Sequence, residues 1–237
     1  MAEPVISLEC DEPDAITAEF ARGLMLIALV KGKPVTLDSL VRLAMNGFSE
    51  GGWSAGGELA KLEGRVGLSR AVEYYIASGA KYLFVAGGSR LVLAPRSLAR
   101  IASKSISPFE VTGKAMAPAV VAPNATLRGA LKRMMERGSI CVFVVRAGKL
   151  KGVVDAWTAV RMVAESSSEV LDIPCSEIAR SEALCSSYTG LFEALSRYGF
   201  AALIRESVYL IDDISLLKVM RESSKKWVNS LRGVKRG

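Results

Sequence analysis

The stretch GSICVFVVRAGKLKGVVDAWTAV, residues 138–160, decides the fold. It starts at a glycine, runs through an apolar segment, turns at Ala147-Gly148-Lys149 and ends in a helix-like segment. A glycine can adopt the left-handed conformation that closes a helix, and runs of Val, Ile and Phe are typical of buried strands. The stretch therefore predicts the order glycine, strand, hairpin turn, strand, helix, with another helix before the glycine.

The same order recurs three more times in the chain. The four stretches start at glycines spaced 56, 59 and 61 residues apart, Gly23, Gly79, Gly138 and Gly199. The other three read GLMLIALVKGKPVTLDSL, GAKYLFVAGGSRLVLAPRSL and GFAALIRESVYLIDDISLL. Hairpin turns are expected at Lys31-Gly32-Lys33, Gly87-Gly88-Ser89 and Glu206-Ser207. A repeat of this length indicates an α/β (α+β) fold made of four similar units, with small sheets flanked by helices.

Residues 111–160 resemble the cystathionine-beta-synthase (CBS) domain. They read VTGKAMAPAVVAPNATLRGALKRMMERGSICVFVVRAGKLKGVVDAWTAV, which is similar to that family's leading strand, Pro-x-x-Thr helix start, Ala-Leu helix, glycine and two strands. The other copies resemble it less, and the first lacks a clear leading strand. The resemblance implies four CBS-type repeats paired into two Bateman modules, 1–105 and 106–223, followed by a basic tail at 224–237.

In this family the motif Gly-apolar-apolar-Thr/Ser-x-x-Asp suits a nucleotide, with the hydroxyl on phosphate and the Asp on ribose. The first copy keeps Thr36 at the hydroxyl position but has Ser39 at the ribose position, with Asp38 one residue early. The second copy has an alanine at the hydroxyl position, followed by Arg96 and Ser97. The resemblance thus implies ligand contacts from these residues, with an adenine nucleotide (AMP, ADP or ATP) or S-adenosylmethionine as ligand.

The third and fourth copies invert this motif. Asp155 and Asp212 hold the hydroxyl position, while Thr158 and Ser215 hold the ribose position. A carboxylate about 4 Å from a phosphate costs roughly 4 kcal/mol at a near-surface dielectric. We therefore expect a phosphorylated nucleotide in the first module, where Thr36 supplies a hydroxyl and positive charge comes from Lys31, Lys33, Arg90 and Arg96. The two Asp residues either cap their helices or hold a cation or a cationic ligand such as an adenosyl sulfonium.

The resemblance also implies an apolar adenine pocket after the leading strand of the third copy. Its expected residues are Met116, Ala117, Pro118 and Val120, with Val144 opposite. The alternative is that this stripe is ordinary core.

Composition argues against catalysis. The chain has no histidine, and no GxSxG, Walker or GxGxxG motif follows a predicted strand. We expect a non-catalytic small-molecule sensor, without a metal or cofactor, whose ligand-dependent shape a partner protein reads. A homodimer is left open. The main alternative is a ligand-free scaffold that mediates assembly.

The remaining features concern context. No apolar run approaches the ~20 residues of a membrane span, so a cytoplasmic protein is expected. The chain has no glutamine and only three asparagines, and such a shortage of thermolabile amides is typical of thermophile proteins. Cys141 is expected in the core, a Cys175–Cys185 bridge stays open, and residues 46–57 are interpreted as a flexible linker. The segment 221–237 has six Lys or Arg and one Glu, and either contacts nucleic acid or forms a solvated helix end.

Overall fold

A computed structural model describes rather more than half of the chain. The described residues are 3–4, 6–8, 27–30, 33–46, 60–63, 83–86, 91–93, 106–113, 115–166, 168–181, 184–185, 190–204, 208–212, 215–216 and 218–223. Burial is described for residues 37–46 and for most described residues from 106 onward.

The described elements are short strands and helices in mixed order, as predicted for an α/β fold with small sheets. The strands are β1 Glu3–Pro4, β2 Ile6–Leu8, β3 Ile27–Val30, β4 Lys33–Thr36, β5 Ala60–Glu63, β6 Leu83–Ala86, β7 Leu91–Leu93, β8 Val120–Val121, β9 Cys141–Arg146, β10 Lys149–Asp155, β11 Leu184–Cys185, β12 Phe200–Ile204 and β13 Val208–Asp212. The helices are α1 Leu37–Met45, α2 Pro108–Thr112, α3 Leu127–Arg137, α4 Ala156–Ser166, α5 Cys175–Ile178 and α6 Leu191–Tyr198. A 3-10 helix spans Ser168–Asp172, and residues 215–216 and 218–223 are helical.

One strand pattern recurs in the four sheets formed by the described residues. A short leading strand pairs in parallel with the first strand of an antiparallel hairpin, giving the sheets β2-β3-β4, β5-β6-β7, β8-β9-β10 and β11-β12-β13. The second of these also carries β1 beside β7. All four hairpins lie where the sequence predicts them. The prediction that the first copy lacks a clear leading strand is wrong, because Ile6–Leu8 pairs in parallel with β3.

Glycines end the two described helices that precede a hairpin. Gly138 closes α3 with φ +59°, and its backbone N–H donates to the carbonyls of Met134 and Met135. The Ser139 N–H donates to the Met134 carbonyl at 2.9 Å, which completes the Schellman arrangement. Gly199 closes α6 in the same conformation, with φ +78°. The predicted ends at Gly23 and Gly79 lie outside the described residues.

The contacts divide the chain into two compact units that do not follow the linear order. The first unit comprises Met1–Glu3, Leu59–Ala117 and Ala183–Gly237, and the second comprises Pro4–Glu58 and Pro118–Glu182. Each unit therefore takes residues from both predicted halves, 1–105 and 106–223. The pairing of repeats into those two modules stays a prediction.

An apolar core packs the described helices and strands of the second unit together. The apolar face of α1 packs against α3, α4 and the 3-10 helix, so that Leu40, Leu131, Val142 and Leu171 are fully buried. Burying one such side chain contributes about 1.5–3 kcal/mol. Because α1 and α4 each follow directly from the second strand of a hairpin, this core fixes the start of both helices.

Candidate functional site

The start of α4 is closed by an acidic side chain. Asp155 is the last residue of β10, and its Oδ1 accepts a hydrogen bond from the Thr158 N–H at 2.9 Å. This is the geometry of an N-cap, in which a side-chain oxygen satisfies a backbone donor of the first helical turn. Asp155 is half-buried, and Thr158 is buried with 8% of its surface exposed.

The last described helical segment begins with the same kind of cap, but this cap is more deeply buried. Asp212 ends β13 with 3% exposure, and its Oδ1 accepts from the Ser215 N–H at 2.9 Å and from the Ser215 hydroxyl at 3.1 Å. Ser215 is fully buried. The Ser215 hydroxyl and the Asp212 carboxylate of the inverted motif are therefore hydrogen-bonded to each other.

These two caps decide what the helix starts can bind. An anion binds a helix N-terminus through backbone N–H groups that lack a partner. The Thr158 N–H already donates to the Asp155 carboxylate, and the Ser215 N–H donates to the Asp212 carboxylate. A carboxylate is negatively charged, as a phosphate is, and would repel it. The arrangement supports the cap interpretation of Asp155 and Asp212 and disfavours a phosphate at either position.

The start of α1 differs from these two in residue type. Thr36 is the last residue of β4, paired with Ile27, and the helix begins at Leu37. Asp38 is exposed in the first turn and Ser39 is half-buried. The sequence thus places a threonine, not an aspartate, immediately before α1.

Several predicted site residues lie outside the described residues. These are three cations expected to favour a phosphate in the first module, Lys31, Arg90 and Arg96, and Ser97 at the ribose position of the second copy, together with most of the linker at 46–57 and the tail at 224–237.

The residues predicted to line an adenine pocket fall into both compact units. Met116 belongs to the first unit, where its N–H donates to the Leu210 carbonyl at 2.8 Å and its carbonyl accepts from the Leu210 N–H at 3.2 Å. Pro118 is half-buried and Val120 is 43% exposed, and both belong to the second unit. Val144 is fully buried in the core of that unit. Of this set, Val144 therefore follows the core alternative.

Sequence reasoning missed one residue that fixes α1. Arg128 of α3 donates from Nη1 to the Met45 carbonyl at 2.9 Å, and its Nε lies 3.8 Å from the Asp172 carboxylate. A cation at the C-terminal end of a helix satisfies a free carbonyl and favours the helix dipole. Arg128 and Met45 are 83 residues apart, so no local pattern in the sequence could have indicated this contact.

Two cysteines that the structure describes, Cys141 and Cys175, are buried. Cys141 is fully buried in β9, as predicted. Cys175 is a free thiol whose Sγ donates to the Thr126 carbonyl at 3.5 Å, so the bridge to Cys185 that the sequence left open is not formed. Burial raises the pKa of the Cys175 thiol above its ordinary value of 9.0, which keeps it protonated and unreactive.

Within the part of the chain that the structure describes, no cluster of three or more Cys, Asp or Glu side chains could hold a metal ion. In the same part, no helix combines the length and the apolar character needed to cross a membrane.

Comparisons with known proteins agree with this geometry. The family model of the CBS domain matches residues 113–165, which comprise β8 to β10, α3 and most of α4. A search of curated proteins finds no match. Among solved structures, the fold is similar to that of a Methanocaldococcus jannaschii protein described as a proposed archaeal homologue of γ-AMPK, with a TM-score of 0.74 and 13% identity over 92% of this chain and 96% of that one. A Pyrococcus horikoshii protein described as uncharacterized and conserved gives a TM-score of 0.59 and 17% identity over the same shares.

Proposed function

We propose that this chain is a non-catalytic regulatory module that senses an adenine nucleotide or a related adenosyl compound. The observation that carries the proposal is the CBS domain at residues 113–165, set in a chain whose fold matches a proposed γ-AMPK homologue over almost its whole length. Ligand binding would change the relative population of two arrangements of the chain, and a partner protein would read that change.

The ligand's phosphate belongs at the start of α1. At the helix starts after Asp155 and Asp212, a backbone N–H group that an anion would need already donates to the Asp carboxylate. Thr36 stands at the corresponding position before α1, and its hydroxyl adds a donor without adding negative charge. Lys31, Lys33 and Arg96 are the cations that the sequence offers to such a phosphate.

Isothermal titration calorimetry with AMP, ADP, ATP and S-adenosylmethionine tests this proposal. Replacing Thr36 and Arg96 by Ala together should weaken nucleotide binding at least about tenfold, which is roughly 1.4 kcal/mol. Replacing Asp155 and Asp212 by Thr should create or strengthen a second site, because Thr retains a capping oxygen and removes the negative charge.

Two results would contradict the assignment. One is unchanged affinity after the Thr36 and Arg96 replacements. The other is a bound phosphate beside Asp155 or Asp212 without a bridging cation.

A ligand-free scaffold is the second candidate, and the two capped helix starts favour it. A helix start whose donors are satisfied by its own side chain holds its conformation without a ligand. A thermal-shift series discriminates the two functions, because a sensor is stabilised by RT ln(1 + [L]/Kd) and a scaffold is not. No shift with any of the four compounds, at concentrations far above a typical cellular level, would favour the scaffold.

A further inference from the structure

Most of the chain's excess positive charge lies in one short segment of the CBS domain. Residues 128–151 contain seven Lys or Arg side chains and one Glu, a net charge of +6, while the whole chain carries +7. The segment 221–237 has a smaller net charge, +5, so the basic character of the chain is not confined to its C-terminal part. The whole chain has a pI of about 9.3, and clustered cations in a protein with a pI above 9 give the electrostatic character of a nucleic-acid-binding surface.

The hairpin between β9 and β10 concentrates three of these cations at its end. Arg146 and Lys149 are directly opposite each other across the turn, and Lys151 follows two residues later. All three are exposed. Among the residues that the structure describes, none of the three forms an ion pair, and the chain's described ion pairs lie on helices instead.

Two features of the hairpin end lower its stability. Two like charges directly opposite each other in an antiparallel pair repel. The turn residue Ala147 has φ +49°, a left-handed conformation that costs about 1–2 kcal/mol for a residue with a Cβ, where Asn or Gly would fit without strain. Local conflicts of this kind concentrate where residues are kept for binding rather than for folding.

The surroundings favour a phosphate backbone over a protein partner. A protein interface needs apolar anchors in its centre, and the exposed large apolar residues that the structure describes, Val120, Met135, Ile204 and Tyr209, all lie outside this turn. A two-stranded ribbon has the width that the roughly 12 Å major groove of B-form DNA admits. We propose that the β9–β10 hairpin, through Arg146, Lys149 and Lys151, contacts the phosphates of double-stranded DNA.

Binding of this kind is electrostatic and carries little sequence preference. Three phosphate contacts predict a slope of about −2.7 in log K against log salt, or an affinity loss of about 40-fold between ~50 and ~200 mM salt. The site does not depend on a nucleotide, so the proposal stands apart from the sensor function.

Fluorescence anisotropy with a labelled duplex of about 20 base pairs tests the proposal on the full-length chain. The variant Arg146→Ala, Lys149→Ala, Lys151→Ala should lose at least about tenfold in affinity at ~50 mM salt and most of the salt slope.

The matched control removes the same charge from exposed helix positions of the second unit, Arg42→Ala, Lys132→Ala and Arg137→Ala. It should retain affinity within about threefold, because its cations lie on helices rather than on the hairpin. Equal loss in the hairpin variant and this control would mean that binding reports only net charge, and the hairpin assignment would fail.

A second variant separates binding from folding. Lys149→Glu converts the repelling pair with Arg146 into an attracting one, so its melting temperature should equal or exceed that of the unmodified protein. Its duplex affinity should nevertheless fall by at least about tenfold, because a negative charge replaces a phosphate contact.

Other outcomes overturn the proposal. They are no duplex binding by the unmodified protein at ~50 mM salt, full binding by Lys149→Glu, or displacement of the duplex by polyglutamate at a lower charge concentration than by unlabelled DNA, which would indicate an acidic protein partner. If duplex affinity fell only in the double variant Lys225→Ala, Lys226→Ala, the DNA contact would lie in the basic tail and not in the hairpin.

Discussion

The two acidic caps should differ sharply in what they contribute to stability. Asp212→Ala removes an N-cap, which costs about 0.5–2 kcal/mol. It also leaves the Ser215 N–H and hydroxyl without their partner in a site where Asp212 is only 3% exposed, and an unsatisfied buried donor costs about 1–3 kcal/mol. We expect the free energy of unfolding to fall by about 2–4 kcal/mol, since water cannot replace the lost acceptor.

Asp155→Ala should cost less. Asp155 is half-buried and accepts one hydrogen bond, from the Thr158 N–H, and water can reach that donor once the carboxylate is gone. A loss of about 1 kcal/mol is expected, the ordinary value for a cap. Asp155→Asn is the matched control, because Asn retains the capping oxygen and removes the charge, and it should stay within ~0.5 kcal/mol of the unmodified protein.

Urea unfolding followed by tryptophan fluorescence and far-UV circular dichroism measures these losses as shifts of the transition midpoint at constant slope. Equal losses for Asp155→Ala and Asp212→Ala would refute the argument from burial. A loss for Asp155→Asn as large as that for Asp155→Ala would show that the charge, and not the hydrogen bond, stabilises the start of α4.

Three further predictions concern packing, a helix end and a thiol. Gly152→Ala would place a Cβ 3.0 Å from the Ala179 Cβ and should lower stability by about 1–3 kcal/mol in a thermal melt, whereas Gly129→Ala on α3 meets only an ordinary contact and should raise it by ~0.5–1 kcal/mol. Arg128→Ala removes the cation at the C-terminal end of α1 and should increase amide hydrogen exchange in the last turn of that helix; unchanged exchange would contradict the contact. Burial raises the pKa of the Cys175 thiol in the folded protein, so the stability that the protonated thiol contributes is complete below the ordinary value of 9.0 and is lost as the pH rises through the folded pKa. Cys175→Ala should therefore reduce the fall in the free energy of unfolding at alkaline pH, as measured by denaturant unfolding at several pH values.

The sequence predicts the hairpins and the glycine helix ends because both follow from local backbone physics. Gly138 and Gly199 adopt the positive φ that a side chain would resist, and each precedes an apolar strand. Ile6–Leu8 escaped prediction because three residues carry too little periodicity to identify a strand.

The candidate site could be predicted less fully. The inverted motif at Asp155 and Asp212 was visible in the sequence, but the choice between a cap and a cation ligand required the distances to Thr158 and Ser215. Arg128 was beyond reach, since its partner lies on a helix that is remote in the chain. Tertiary packing, and not propensity, decides such contacts.

The bridge between Met116 and Leu210 bears on how this chain could be divided or rearranged. Residues 113–165 match a domain family, yet Met116 is hydrogen-bonded within the first compact unit, and α1, from far upstream, completes the core around Leu131 in the second. A fragment cut at the family boundaries would lose a strand contact at one end and expose an apolar helix face at the other. A segment whose core is completed by a helix from far upstream in the chain can no longer be deleted, exchanged or transplanted on its own.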